Sequence, residues 1–131
     1  MAQFGVPPSQ KGTILPARAP IDRQTLDVAT GGDGALAREL LVLYATRAES
    51  LASALSATPP AQRRALRDLA HGARGSALAV GALDVAQAAA DLEAAAADEA
   101  SLEAEIGRAR DTLRRHIEDS RNEALGLADS W

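Results

Sequence analysis

One histidine of this sequence stands in a context that favours chemistry. His71 lies two residues after Leu69 and two residues before Ala73, in a segment whose apolar residues recur with helical spacing. Successive residues of an α-helix are about 100° apart, so the imidazole is about 200° from either apolar neighbour and is expected to face solvent. Near neutral pH a large fraction of imidazole is neutral and nucleophilic. An exposed histidine is usually an ordinary surface residue, however, so a functional role depends on its neighbours.

The neighbours of His71 combine positive charge with missing side chains. Arg67 lies one helical turn before it, and Arg74 and Gly75 lie one turn after it. Gly72 and Gly75 each destabilise a helix interior by about 0.8–1 kcal/mol relative to alanine. Because Gly75 is about 40° from His71 around the helix, packing against the core explains it poorly. The missing side chains leave room for another protein to bring a reactive group to the imidazole, and the arginines attract anions.

The other candidate sites in the sequence have weaker support. His116 follows two arginines and has no glycine near it, so we interpret it as a surface residue. The run Gly31–Gly34 lacks the lysine of a phosphate-binding loop and is better explained as a helix end followed by a cap. The absence of cysteine excludes disulfides, zinc-thiolate sites and thiol catalysis. Neither histidine has a glutamate three residues before it, as a metal-binding helical bundle requires.

The composition indicates one helical domain. The chain has 131 residues, of which 47% are hydrophobic but only 2% aromatic, and alanine and leucine favour closely packed helices over sheets. The net charge of −4 argues against a nucleic-acid-binding protein that depends on a basic surface. No segment approaches the ~20 apolar residues needed to cross a bilayer, and no secretory signal is evident. We therefore expect a cytoplasmic protein without membrane contacts.

The apolar residues recur with the spacing of five helices. We predict a short helix over 22–30 and longer helices over 34–57, 59–80, 83–97 and 101–120. Asp33 is expected to cap the second helix, Thr58 to cap a third helix that opens with Pro59-Pro60, and Gly81 to end it. The predicted core faces of the second and third helices are Leu36, Leu40, Leu43, Tyr44, Ala48, Leu51 and Leu55, and Leu66, Leu69, Ala73, Ala77 and Val80.

Four long helices with short connections predict an all-α fold, an antiparallel up-down four-helix bundle with a short additional N-terminal helix. Prolines are concentrated in the first twenty residues, which we predict to be a flexible arm. Residues 21–120 are assigned to the bundle. Residues 121–131 are predicted to be a fraying tail, with a packed Trp131 as the alternative.

Charge is divided between two neighbouring helices. Every charged side chain between residues 84 and 105 is acidic. The predicted third helix is instead basic, with Arg63, Arg64, Arg67 and Arg74. A basic helix complements an acidic partner surface and speeds the encounter, more strongly at low salt.

The residues from His71 to Ala82, HGARGSALAVGA, followed by Leu92-Glu93, resemble the signature of the histidine-containing phosphotransfer (HPt) domain family. That signature has a phospho-accepting histidine, a basic residue three positions later, a glycine four positions later, then serine or alanine, and a further glycine that ends the helix. Gly31-Gly32-Asp33 and the Leu36–Leu43 stretch are similar to the start of the family's long second helix. The likeness covers about residues 21–120.

Two positions depart from the family's pattern. Arg74 stands where lysine is usual, which keeps the charge but changes the geometry of the donor. Gly72 and Ala73 are smaller than the residues usual there.

The resemblance implies that His71 accepts a phosphoryl group from a phosphoaspartate of one receiver domain and passes it to an aspartate of another. Arg74 would support the phosphoryl charge, and Gly75 would give the partner steric access. The chain would be a phosphoryl carrier rather than an enzyme, with no cofactor of its own. The receiver domain would supply Mg²⁺ and the reacting aspartate.

The implied partners are response-regulator receiver domains and a hybrid or sensor histidine kinase. We expect a stand-alone, monomeric carrier, since the chain leaves no room for kinase or receiver domains. Our hypothetical docking surface combines Arg74 with Arg64, Arg67 and Leu78. Glu93, at a position where the family often has glutamate or glutamine, is a weaker candidate. The alternative function is a non-phosphorylated interaction or scaffold bundle derived from the same fold, which an exposed histidine beside helix-weakening glycines disfavours.

Overall fold

The computed structural model describes residues 19–130. Within this range the chain forms five helices and no strand: α1 (Arg23–Thr30), α2 (Gly34–Ala57), α3 (Arg63–Val80), α4 (Leu83–Ala97) and α5 (Glu103–Ser130). The arm predicted for residues 1–20 lies outside the described residues except for Ala19 and Pro20. Trp131 also lies outside them.

Helices α2 to α5 form an antiparallel four-helix bundle. α2 packs most extensively against α5, and α3 against α4, while contacts between α4 and α5 and between α2 and α3 close the ring. The short α1 packs across α2 and α3. Short connections at 58–62, 81–82 and 98–102 reverse the chain between successive helices. The predicted fold class is confirmed.

The core consists of branched aliphatic side chains and alanines. The alanines allow the helix backbones to approach closely, and the larger side chains fill the remaining space. One buried polar pair joins α2 to α5, because the hydroxyl groups of Tyr44 and Ser120 are hydrogen-bonded at 2.6 Å. Burial raises the pKa of the Tyr44 phenol, and the hydrogen bond to Ser120 lowers it to a smaller extent. The largest fully buried side chains of α2 to α5 are Leu41, Leu55, Leu66, Val80, Val85, Leu92, Ile106, Leu113 and Ile117.

The helix ends agree with the sequence prediction at most positions. The Asp33 carboxylate accepts a hydrogen bond from the Leu36 amide and caps α2. Gly81 ends α3 in the left-handed conformation, with a φ of 78°. Its carbonyl accepts a hydrogen bond from the Asp22 amide at 2.8 Å, which joins the end of α3 to the start of α1. A Cβ at Gly81 would lie 2.7 Å from the Asp22 carbonyl oxygen, so both the backbone angle and the close approach require glycine.

The prediction that Thr58 caps α3 is wrong. Thr58 is the C-cap of α2, and its hydroxyl donates a hydrogen bond to the Ala54 carbonyl at 2.7 Å. A residue that precedes proline avoids the helical conformation, so Thr58 and Pro59, each followed by a proline, leave the helix. The chain then turns, and the Gln62 amide donates to the Pro59 carbonyl. α3 begins only after this turn, at Arg63.

The predicted core face of α2 is wrong at two positions in its first half. Leu36 and Leu43 are exposed, Leu43 by 63%, whereas Leu40 is partly buried against the core and Tyr44 is buried as predicted. This half of α2 has apolar residues around most of its circumference, so periodicity allows more than one buried face. The small side chains Ala37 and Ala45 face the core instead, which lets neighbouring helices approach α2 closely.

The predicted tail at 121–131 is also wrong over the described residues. α5 continues to Ser130, and Ala124 and Ala128 are buried. These alanines continue the four-residue spacing of Ser120, so the buried face of α5 runs on without a break. Alanine and Gly126 give a weak hydrophobic signal, which is why the sequence alone suggested an earlier end. No helix within residues 19–130 has both the length and the apolar character needed to cross a membrane.

Candidate functional site

His71 lies in the middle of α3, on the face opposite the core. Its helix neighbours Ala70 and Ala73 are buried, and their burial fixes the rotation of α3 about its axis. The His71 side chain is 81% exposed. The expectation that the imidazole faces solvent is therefore confirmed, and the ring is accessible to a second protein.

A carboxylate from α4 lies beside the imidazole. The distance between His71 Nδ1 and Glu93 Oε2 is 3.7 Å, and the Glu93 side chain is 31% exposed. Packing of α3 against α4 brings the two residues together. A carboxylate at this position favours a ring proton on Nδ1, which leaves the lone pair of Nε2 free to react.

Two of the predicted docking residues, Arg64 and Arg67, lie beside His71 and Glu93. Arg64, Arg67, Asp68, His71 and Glu93 line an open depression of about 470 Å³, which we call the histidine depression. Arg64 and Arg67 are exposed, and neither has an ion-pair partner among residues 19–130. An anion in the histidine depression would therefore meet two unpaired guanidinium groups beside the carboxylates of Asp68 and Glu93, so Arg64 and Arg67 favour it only on their own side of the depression.

Three other predicted residues lie outside the histidine depression but on the same face of α3. Arg74 and Gly75 are exposed one turn beyond His71, and Leu78 is 50% exposed one turn further on. A Cβ built at Gly75 has no heavy atom within 4 Å. The expected open space beside the histidine is present, and no packing contact with the described residues explains the glycine.

Arg63 does not belong to this exposed basic face. Its guanidinium donates hydrogen bonds to the carbonyl oxygens of Asp98 at 2.9 Å and Ser101 at 2.6 Å. Both carbonyls lie in the connection between α4 and α5. Because Arg63 is in the first turn of α3, its side chain can reach that connection. Its hydrogen bonds stabilise the loop, so its guanidinium is not available to bind a partner protein.

Arg47 of α2 was not among the site residues predicted from the sequence. Its Nη2 atom lies 3.1 Å from the position that a Cβ of Gly72 would occupy. Arg47 also lines a groove of about 200 Å³ between α2 and α3, together with Leu40, Leu43, Tyr44, Ser76, Ala79 and Val80. The only sequence signal was a glycine inside a helix, and it does not identify the residue on the facing helix.

The second histidine has no comparable surroundings. His116 is partly buried on α5 and forms no hydrogen bond or ion pair within residues 19–130. The same part of the chain contains no group of three histidine or carboxylate side chains placed to hold a metal ion.

Compared with known proteins, the chain matches no family model, no curated protein and no solved structure. The site itself combines an exposed imidazole, a carboxylate near its Nδ1 atom and unpaired guanidinium groups on the same helix face. Together these groups offer a nucleophile and attract an anion.

Proposed function

We propose that this protein is a histidine phosphotransfer protein, which relays a phosphoryl group between receiver-domain aspartates through a phosphohistidine at His71. The main supporting observation is the combination at the centre of α3. A histidine side chain that is 81% exposed lies one turn from Gly75, whose added Cβ would meet no atom within 4 Å. The glycine weakens the helix and serves no packing contact with residues 19–130, but it allows a partner to approach the ring.

The reaction at His71 is an in-line displacement at phosphorus. The free ring nitrogen attacks the phosphorus of a receiver phosphoaspartate, a P–N bond forms, and the P–O bond to the aspartate breaks. The aspartate leaves as a carboxylate, and the ring keeps its proton on the other nitrogen. The Glu93 carboxylate, 3.7 Å from Nδ1, favours the proton on that nitrogen by its charge, which makes Nε2 the expected attacking atom. Transfer to the second receiver reverses these bond changes.

The arginines of α3 supply the electrostatic part of the mechanism. Arg64, Arg67 and Arg74 present three positive charges on the exposed face around His71. They attract the acidic site of a receiver domain and then the oxygens of the phosphoryl group. Association is expected to slow as salt is raised, because these charges are exposed to solvent and screened.

The chain would act as a carrier in a cytoplasmic relay that begins with a hybrid or sensor histidine kinase. It supplies the nucleophile and the docking face. The receiver domain supplies Mg²⁺ and the acidic residues that bind it. No separate active site for nucleotide or metal is required of the carrier.

The direct test is phosphotransfer from a phosphorylated receiver domain, or from an active hybrid kinase, in the presence of Mg²⁺. Wild-type protein is compared with His71→Gln, and His116→Gln is the matched control. We expect acid-labile, alkali-stable label on the wild type and on the control, but not on His71→Gln. The His71 side chain is exposed, so circular dichroism should show an unchanged fold in that variant.

Label that persists on His71→Gln would contradict the assignment of the phosphoacceptor. Binding to receiver domains without label, across a broad panel of phosphorylated donors, would contradict the relay function and favour the scaffold alternative.

A further inference from the structure

The surface of α3 between His71 and α2 has no side chains at two positions. Around the helix, Gly75 is about 40° and Gly72 about 100° from His71, both toward Ser76, which lines the groove against α2. We call the bare backbone at Gly72 and Gly75 the α3 notch. Because both residues are glycines, no side chain at position 72 or 75 lies between the imidazole and the side chains that extend from α2.

Arg47 of α2 lies against this notch. Its Nη2 atom is 3.1 Å from the position of a Cβ at Gly72, so a larger residue there would displace the flexible end of the Arg47 side chain from this position. Gly72 directly follows His71 in the chain, so the guanidinium rests on the backbone next to the proposed phosphoacceptor.

No carboxylate within residues 19–130 neutralises the charge of Arg47. Arg47 is exposed, and no carboxylate lies within ion-pair distance of it among residues 19–130. Arg47 also lines the apolar groove beside Leu43, and arginine commonly lays its aliphatic stem along apolar surface while its guanidinium stays in solvent. Contact with the apolar groove accounts for the aliphatic part of the Arg47 side chain only. Its guanidinium has no ion-pair partner among residues 19–130.

We propose that Arg47 is a phosphoryl-binding residue, whose guanidinium reaches through the α3 notch and binds the phosphoryl oxygens on His71. Arg67 and Arg74 lie about 40° and 60° from His71 on the opposite side of the ring. The phosphoryl group is therefore held between cations from two helices. The planar guanidinium fork suits two phosphoryl oxygens at once. This inference rests on the proposed function.

The notch explains why glycine occupies position 72 at a cost in helix stability. A leucine at that position restores helix propensity but fills the space that the guanidinium occupies. Gly72→Leu should therefore have the same effect on the phosphoryl group as Arg47→Gln, although it leaves the arginine in place. The matched control is Arg38→Gln, because Arg38 is an exposed arginine of the same helix about 180° from Arg47.

The test needs no partner protein. Phosphoramidate phosphorylates histidine: a ring nitrogen attacks phosphorus, the donor's P–N bond breaks, ammonia leaves, and the new P–N bond forms on the ring. Phosphorus NMR then follows the titration of the phosphoryl group on His71. Because a bound cation favours the dianion, Arg47→Gln and Gly72→Leu should titrate at higher pH than wild type and Arg38→Gln.

Two further measurements test the contact between Arg47 and the phosphoryl group and its contribution to the equilibrium of phosphoryl transfer. In the wild type, the Arg47 Nε–H resonance should shift on phosphorylation, while that of Arg38 should not. With a receiver domain and Mg²⁺, the equilibrium constant for transfer to His71 should fall about threefold in Arg47→Gln, the effect expected of one exposed ion pair. Circular dichroism checks that each variant is folded.

The outcomes separate the two proposals. Phosphohistidine at His71 with an unchanged titration and an unchanged transfer equilibrium in Arg47→Gln would overturn the role of Arg47 and leave the relay function intact. Wild-type protein that forms no phosphohistidine at His71, with phosphoramidate or with a receiver domain, would overturn the proposed function and this inference with it.

Discussion

Replacing Gly75 by alanine should make the protein more stable and a poorer phosphoryl carrier. The residue lies inside α3, and a Cβ added there would meet no heavy atom within 4 Å. The substitution therefore introduces no clash within the described residues. It does place a methyl group on the exposed face, one turn from the imidazole, where the receiver domain is proposed to approach.

The stability gain follows from helix propensity. Alanine is favoured over glycine in a helix interior by about 0.8–1 kcal/mol, and no steric term opposes it here. For a chain of this size, that gain raises Tm by about 3–5 °C. The expected decrease in the transfer rate is a larger effect in free energy than this gain in stability, because a misplacement of about 1 Å at a reacting centre can slow a reaction about 100-fold. We expect a rate about tenfold lower for Gly75→Ala and lower still for Gly75→Leu.

Thermal and urea denaturation, followed by circular dichroism, measure the first effect. Single-turnover transfer from a phosphorylated receiver domain measures the second. Gly126→Ala is the matched control, since Gly126 lies in α5 and a Cβ there also meets no atom within 4 Å. The control should be stabilised, although less so near the helix end, and should transfer phosphoryl groups at the wild-type rate.

Two results would refute this reasoning. A destabilised Gly75→Ala protein would mean that this face of α3 is covered in solution. Transfer at the wild-type rate in both the alanine and the leucine variants would mean that the glycine does not provide access to His71.

Three other substitutions or conditions test the structure and the site. Glu93→Ala should slow phosphotransfer severalfold and change the ring tautomer of His71 seen by nitrogen NMR, because the carboxylate near Nδ1 is lost; an unchanged tautomer would exclude this role. The raised pKa of Tyr44, the only tyrosine, means that the folded state favours the neutral phenol. Its contribution to stability is present below pH 10.0 and is lost as pH rises through the raised pKa. Tyrosinate absorbance and circular dichroism should therefore change together, and ionisation of Tyr44 without loss of helix would contradict the burial. A chain that ends at Ser120 should have a markedly lower free energy of unfolding in urea, because buried Ala124 and the end of α5 are removed; a wild-type midpoint would show that residues 121–130 add nothing to the core.

Local features of this fold were predictable from the sequence. The bounds of α2 and α4 agree with the expected ones, because apolar spacing and helix caps are properties of a few neighbouring residues. Asp33 and Gly81 mark helix ends through their own side chain or backbone conformation. The exposure of His71 also followed locally, since buried residues on both sides of it fix the rotation of α3.

The errors arise where one helix alone does not decide the outcome. Leu36 and Leu43 were expected in the core, but α2 is apolar on more than one side and contact with its neighbours selects the buried face. The last ten helical residues of α5 were missed for a similar reason, because alanines such as Ala128 contribute little hydrophobic signal until they meet another helix.

Sequence patterns alone were enough to predict the five helices, apart from the start of α3 and the last ten residues of α5, and to predict that they form a bundle in which His71 faces solvent. Only the tertiary structure brought Glu93 beside the imidazole and placed Arg47 against Gly72. Both arrangements depend on the rotation and axial register of one helix against another. That register is set by packing between residues far apart in the chain, and no periodicity within a single helix encodes it.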